Sequence, residues 1–222
     1  FPYGPAPVAF QKNCIRFDAN PHGYPLQNID KDQYVKNHEN KGNNYYSKAW
    51  ADDFDKCYYK YVALRLVRAV DFLKTLPQWN GKDITATGGS QGGGLSLYIA
   101  ALKPEISGIS VDIPALCDHG APLVGRRAGW PMALGGAKTP EERVKFAAAS
   151  AYLDGAHFAS MIKCPVKFFF GLTDGVCSPT SALAAANSLP ADTPKLVRYS
   201  PYTGHTPAGI DVRVYIDTIT TK

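Results

Sequence analysis

The chain has 222 residues, 45% hydrophobic and 19% charged, with a formal net charge of +5, which suits one globular domain with a sizeable core, read as residues 1–222. Lysines and arginines are scattered rather than clustered, which speaks against a nucleic-acid partner. No apolar run is long enough for a membrane span, and Phe1-Pro2-Tyr3-Gly4-Pro5 lacks the basic region and apolar core of a signal peptide.

Lys12–Ala19 reads as a strand, closed by the turn Asn20-Pro21-His22-Gly23. Tyr24–Lys48 is polar and reads as loop or short helices. Asp53–Leu76 carries apolar residues at helical spacing (Tyr58, Tyr61, Val62, Val70, Leu73) and stops at Pro77. Asp83–Thr87 reads as a buried strand, Leu95–Leu102 as an apolar helix and Ile106–Ile113 as the next strand. Thr139–Ala156 is expected to be helical, with Thr139-Pro140-Glu141-Glu142 as a capped start. Pro165–Gly171 is a strand, Ser181–Ser188 a helix, Lys195–Tyr199 a strand and Asp211–Thr221 a terminal helix. Five strands alternating with helices predict an α/β fold with a mostly parallel sheet and helices on both faces. The five cysteines (14, 57, 117, 164 and 177) are an odd number without C-x-x-C spacing, which argues against a disulfide framework or a zinc knuckle. Cys14, Cys117 and Cys164 sit in apolar settings and are expected to be buried thiols.

Gly88-Gly89-Ser90-Gln91-Gly92 joins a strand to a helix and fits G-x-S-x-G, the nucleophile elbow. A serine at so sharp a turn needs a near-absent side chain two residues to either side, and the turn exposes its hydroxyl. It also aims the Gln91 amide at an oxyanion formed there. No Gly-Lys-Ser/Thr follows, so a phosphate loop fits poorly. A serine nucleophile needs a base, and the base an orienting carboxylate. Asp174 follows the Phe168-Phe169-Phe170 strand and His205 follows the Lys195–Tyr199 strand, which gives the order Ser, Asp, His at three strand ends. Asp112 and Asp118 are the alternative acids. His22, His38, His119 and His157 fit the base position less well. Such a triad needs no metal and no cofactor.

Several segments together resemble the acetyl xylan esterases and cephalosporin-C deacetylases of carbohydrate esterase family 7, within the α/β-hydrolases. They are Asn20-Pro21-His22-Gly23, the helix from Tyr58 to Leu73, Leu76–Lys82, Gly88–Gly93, Val111–Asp118, Gly171–Asp174 with Ser178–Ser181 and Ala184–Asn187, and Gly204-His205. The resemblance implies deacetylation of short acetylated xylan-type sugars and other small acetyl esters, with Ser90 as nucleophile, Asp174 as acid and His205 as base. It also implies self-association, since the family forms ring-like oligomers. Tyr3 either stands where the family's oxyanion-loop tyrosine stands, supplying a second amide donor, or is an ordinary turn residue. Trp130, and Tyr45, Tyr46 and Trp50, either offer sugar-stacking faces or are core residues.

Two departures stand out. Thr206 follows Gly204-His205 where the family usually has Glu. The family's Arg-Gly-Gln motif and further strands have no counterpart upstream. In the family's sheet another strand lies between the counterparts of Lys12–Ala19 and Asp83–Thr87; without it both would leave backbone groups unpaired. The chain is therefore expected to be a piece of a larger or cut protein whose missing N-terminal segment completes the sheet. Direct pairing of those two strands would refute this. The competing readings are another hydrolase on the same fold, a peptidase or dienelactone-type enzyme, and a catalytically inactive fragment.

Overall fold

The computed structural model describes residues 14–21, 55, 57–207 and 216–218. Tyr24–Lys48 lies outside them. Within them the chain forms α1 (Tyr58–Thr75), β1 (Ile84–Gly89), α2 (Gln91–Leu102), β2 (Ile106–Asp112), α3 (Pro140–Ala151), α4 (Gly155–Ala159), β3 (Val166–Gly171), α5 (Pro179–Ser188), β4 (Lys195–Ser200) and β5 (Ile216–Thr218), with a short 3-10 turn at Ala121–Val124. The sheet order is β1-β2-β3-β4-β5. The first four strands are parallel and β5 is antiparallel to β4.

The expected alternation holds for the four strands from Ile84 to Ser200, and the sequence periodicity explains why. Phe168, Phe169 and Phe170 of β3 are all buried. Successive strand side chains point to opposite faces, so both faces of β3 are covered, as a parallel sheet requires. The main core joins Leu97 and Ile99 of α2, Ile109 and Val111 of β2, Phe168 of β3 and Ala185 of α5. A second core packs Tyr59, Val62 and Ala63 of α1 against Leu95 and Tyr98 of α2 and Leu116. α2 is buried continuously from Gly93 to Ala100, which accounts for its apolar character on every side.

Four expectations are corrected. The described part of Lys12–Ala19 is not a strand. Residues 14–20 are exposed and outside the sheet, with no ladder partner among the described residues, and Phe17 instead meets Phe72 of α1 with ring centroids 6.0 Å apart. This segment and β1 are therefore not paired, and β1 forms one edge of the described sheet. Thr139–Ala156 is two helices. Thr139 caps the first by accepting from the Glu142 amide at 3.2 Å, and Asp154 caps the second. Part of Asp211–Thr221 is strand rather than helix: Arg198 pairs with Asp217 and Tyr199 with Ile216. Its β-branched, alternating composition suits the β4 edge better than a helix. Cys14 is exposed and Cys164 half-buried, while Cys57, Cys117 and Cys177 are buried. Cys14 lies in the stretch that does not join the sheet, which removes the packing that would have covered it.

Candidate active site

β1 ends at Gly89 and α2 begins at Gln91, so Ser90 alone makes the turn. Its backbone is left-handed, φ 54° and ψ −119°. For a non-glycine residue this costs roughly 1–3 kcal/mol and persists only where the surroundings over-determine it. They do so here. The Ser90 amide donates to the Asp112 carbonyl at 2.9 Å, and the Ser90 carbonyl accepts from Gly94 at 3.2 Å and Ala115 at 2.9 Å. The turn also folds Gly92 back onto Gly88, where an added Cβ would lie 2.4 Å from the Gly92 carbonyl carbon. The two outer glycines of the motif are thus unequal: a Cβ on Gly92 would meet nothing within 4 Å, so the expected need for a bare residue on both sides holds only at Gly88.

The three expected side chains meet. His205 Nε2 lies 2.9 Å from Ser90 Oγ, and its Nδ1 lies 2.8 Å from Asp174 Oδ2. A carboxylate can only accept, so Nδ1 carries the hydrogen and Nε2 is left to accept from the serine hydroxyl. Asp174 is fixed by its own loop, with Oδ1 accepting from the Val176 amide at 2.8 Å and the Cys177 amide at 2.9 Å. The Asp174 side chain is 0% exposed and that of His205 27%, so the carboxylate is shielded while the imidazole opens to solvent.

The alternatives lie elsewhere. Asp118 takes the Arg126 guanidinium at 2.5 and 3.2 Å, and Asp112 serves Ser90 through its backbone carbonyl. His119 is buried with Nδ1 3.1 Å from the Ser150 carbonyl oxygen, and His157 Nδ1 is 2.8 Å from that of Ala151. His22, His38, Tyr3, Tyr45, Tyr46 and Trp50 lie outside the described residues. Among the described residues no group of three or more His, Cys, Asp or Glu side chains could hold a metal ion. No described helix is long and apolar enough to cross a membrane.

Gln91 opens α2, so its backbone N–H is among those with no acceptor inside the helix. Its side chain is anchored, with Nε2 donating to Tyr59 Oη at 2.5 Å. Trp130 stands edge-on to Tyr59, with centroids 6.3 Å apart at 82°, and is half-buried. Its main chain joins two loops: its amide donates to the Val176 carbonyl at 2.9 Å, and its carbonyl accepts from the Leu116 amide at 2.8 Å.

Two neighbours of the triad were not anticipated. Tyr59 was legible only as a helix-face aromatic, although a buried tyrosine hydroxyl implies a polar partner. Cys177 Sγ lies 4.0 Å from Ser90 Oγ. Burial first, then the Asp174 carboxylate, push its thiol up to about 12. Its position three residues after Asp174 was the available signal, because a carboxylate in such a turn takes the amides that follow it.

The sequence pattern of the acetyl xylan esterase (AXE1) family matches residues 22–214, which include Ser90, Asp174 and His205. Acetyl esterase Axe7A of Xylanibacter ruminicola is 39% identical over 148 residues, 66% of this chain and 33% of that protein. An acetyl xylan esterase from Paenibacillus sp. R4 superposes with a TM-score of 0.64 at 29% identity, covering 73% of this chain and 52% of that one. Acetyl xylan esterase 1 from Thermoanaerobacterium sp. JW/SL YS485 gives 0.63 at 27%, covering 73% and 52%. The chain thus spans from a third to about half the length of these relatives. With the parallel sheet, the strained elbow and the family pattern all in one place, the chain belongs to the acetyl xylan esterase family and carries its α/β-hydrolase fold.

Proposed function

We propose that this chain carries the catalytic centre of a serine carboxylesterase, which removes acetyl groups from acetylated xylan-type oligosaccharides and other small acetyl esters through an acyl-enzyme. The observation that carries the mechanism is the connected line from Asp174 Oδ2 through His205 to Ser90 Oγ, with links of 2.8 and 2.9 Å. Family membership supports the acetyl substrate.

His205 Nε2 takes the Ser90 proton as Oγ bonds to the acetyl carbonyl carbon. The carbonyl oxygen becomes an oxyanion beside the Gln91 amide and the N-terminus of α2, where fixed dipoles favour negative charge. Asp174 holds the ring orientation and stabilises the imidazolium. The C–O bond to the sugar breaks, and the sugar oxygen leaves with the proton from Nε2. Water then gives a proton to Nε2 and attacks the acyl carbon, releasing acetate and restoring Ser90. One ester and one water account for every atom. β1 has one partner in the described sheet, and its face bearing Thr85, Thr87 and Gly89 is exposed, which supports a longer enzyme whose further elements pair with and cover β1.

The test uses the intact protein. Wild type should take a fluorophosphonate label and release acetate from acetylated xylo-oligosaccharides. Ser90→Ala should lose the label and about 10⁴-fold or more of the rate. Acetate release that survives Ser90→Ala would overturn the reading.

A further inference from the structure

Three non-glycine residues of the loop after β2 have left-handed backbone: Ile113 at φ 40°, Leu116 at 63° and Asp118 at 56°. Such backbone is strained at a non-glycine residue and needs surroundings that over-determine it. The same stretch braces the elbow, since Asp112 accepts from the Ser90 amide and Ala115 donates to the Ser90 carbonyl. Whatever holds this loop therefore helps to place Ser90. Backbone bonds hold its first half: Ile113 to the Phe169 carbonyl at 2.6 Å, Leu116 to that of Trp130 at 2.8 Å, and Gly155 to the carbonyl of Leu116 at 2.6 Å.

At the far end, one side chain takes both the Asp118 and the His119 backbone amides. Asp154 is 4% exposed. Its Oδ1 accepts from the Asp118 amide at 2.7 Å and the Ala156 amide at 2.9 Å, and its Oδ2 accepts from the His119 amide at 2.6 Å. Capping α4 requires only the bond to Ala156. The other two reach back to the strained loop, 36 and 35 residues earlier in the chain.

We propose that Asp154 is a positioning residue for the nucleophile: its buried carboxylate locks the turn at Asp118-His119, which fixes the 113–119 loop so that Ala115 holds the Ser90 carbonyl and Ser90 Oγ stays in line with His205. The inference rests on Ser90 being the nucleophile. Asp154 touches neither the substrate nor the triad, so its effect falls on turnover. A buried carboxylate accepting three amides is also a strong anchor, since charge-assisted hydrogen bonds are about twice as strong as neutral ones.

The experiment titrates competent sites of the intact enzyme with a fluorophosphonate and then measures kcat per titrated site on 4-nitrophenyl acetate. Asp154→Asn keeps one accepting oxygen but sets an NH₂ against a backbone amide. It should lower kcat per titrated site by about ten- to a hundredfold, with KM within about twofold. Gly155→Ala disturbs the loop with the carboxylate intact, because its Cβ would lie 2.7 Å from Cys117 Sγ and 3.0 Å from the Leu116 carbonyl oxygen. It should also lower kcat per site. Thr193→Ala removes a buried bond to the Ile162 carbonyl, before β4, and should lower Tm while leaving kcat per site unchanged. A purely structural Asp154 would reduce the number of titrated sites and Tm, not turnover per site. Per-site kcat within about twofold of wild type in Asp154→Asn overturns the inference. If that variant does not fold, Gly155→Ala decides by the same criterion. A wild type without Ser90-dependent label overturns the nucleophile reading and the inference with it.

Discussion

Ser90 and Asp174 leave the same sheet from strands of opposite character. β3, which leads to Asp174, is buried at Val166, Phe168, Phe169, Phe170 and Gly171 and is paired on both sides. β1, which leads to Ser90, has one partner among the described strands and leaves Thr85, Thr87 and Gly89 exposed. Asp174, the proposed acid, thus follows a strand locked in the core, and the Val176 and Cys177 amides of its own loop hold its carboxylate beside His205. Ser90, the proposed nucleophile, follows the edge strand of the described sheet and is braced by Asp112 at the end of β2 and by Ala115 in the loop beyond it. Asp174 thus follows a strand packed on both faces, while Ser90 follows one with an exposed face and takes its backbone bonds from the end of β2 and the loop beyond it.

The sharpest break of this contrast is a single methyl group at each strand end. Gly171 closes β3 directly beneath the His205 loop. An added Cβ would lie 2.0 Å from the Thr203 carbonyl oxygen and 2.6 Å from that of Gly204. Both obstacles are backbone, so no rotamer change relieves them, and the base must move away from Asp174 and Ser90. Gly171→Ala should lower kcat/KM by about a hundredfold or more, read by steady-state kinetics on a soluble acetyl ester. Gly89 closes β1, where a Cβ would meet only Pro207 at 3.6 Å, an ordinary contact. Gly89→Ala should cost less than about threefold. Equal losses would show that the two strand ends are equally crowded and dissolve the comparison.

How much of this was legible in the sequence follows the same division. The meeting of Ser90, Asp174 and His205 was readable because each follows a strand, and the strands nearest them are apolar runs bounded by Gly, Pro and Asp. Local chemistry determined those elements. What was misread depended on partners distant in sequence. Lys12–Ala19 alternates like a strand, yet among the described residues no edge meets it. Part of Asp211–Thr221 joined the free edge of β4, which no local pattern announces. The break at Tyr152-Leu153-Asp154 was hidden because Thr139–Ala156 is rich in helix formers. Asp154 resolves it by capping a second helix while holding a loop far upstream. Tyr59 meets Gln91 through tertiary packing alone, whereas the place of Cys177 beside Ser90 follows in part from its position three residues after Asp174.

A milder test addresses the start of α2. Tyr59 is fully buried, and its hydroxyl takes the Gln91 side chain at 2.5 Å. Gln91 also offers the backbone N–H expected to meet the oxyanion, so its side-chain anchor steadies that amide. Tyr59→Phe keeps the ring against Tyr58 and Trp130 and removes only the oxygen. It should lower stability by about 1 kcal/mol, because one part-buried hydrogen bond is lost. It should lower kcat by about three- to tenfold with KM unchanged, the signature of an interaction made in the transition state. Loss in KM alone would place Tyr59 in ground-state binding and detach it from the elbow.

The smallest expected effect separates the two sides by pH. His119 sits in the loop that braces Ser90, fully buried, and burial lowers its pKa below the usual imidazole value. The carboxylates of Asp154 and Asp118 oppose that shift without reversing it. The native state therefore favours the neutral ring, while the unfolded chain titrates near ~6.5. Below that pH the unfolded state binds the extra proton, so this contribution to stability is complete above about 6.5 and declines as the pH falls toward the folded value. His119→Asn retains a side chain able to donate to the Ser150 carbonyl but cannot titrate. It should lower Tm at pH 7.5 yet show a shallower fall in Tm between pH 7 and 5 than wild type, measured by calorimetry at constant ionic strength. Parallel Tm profiles would mean that acid weakens the molecule elsewhere, and that the loop bracing Ser90 is no more sensitive to pH than the strand that leads to Asp174.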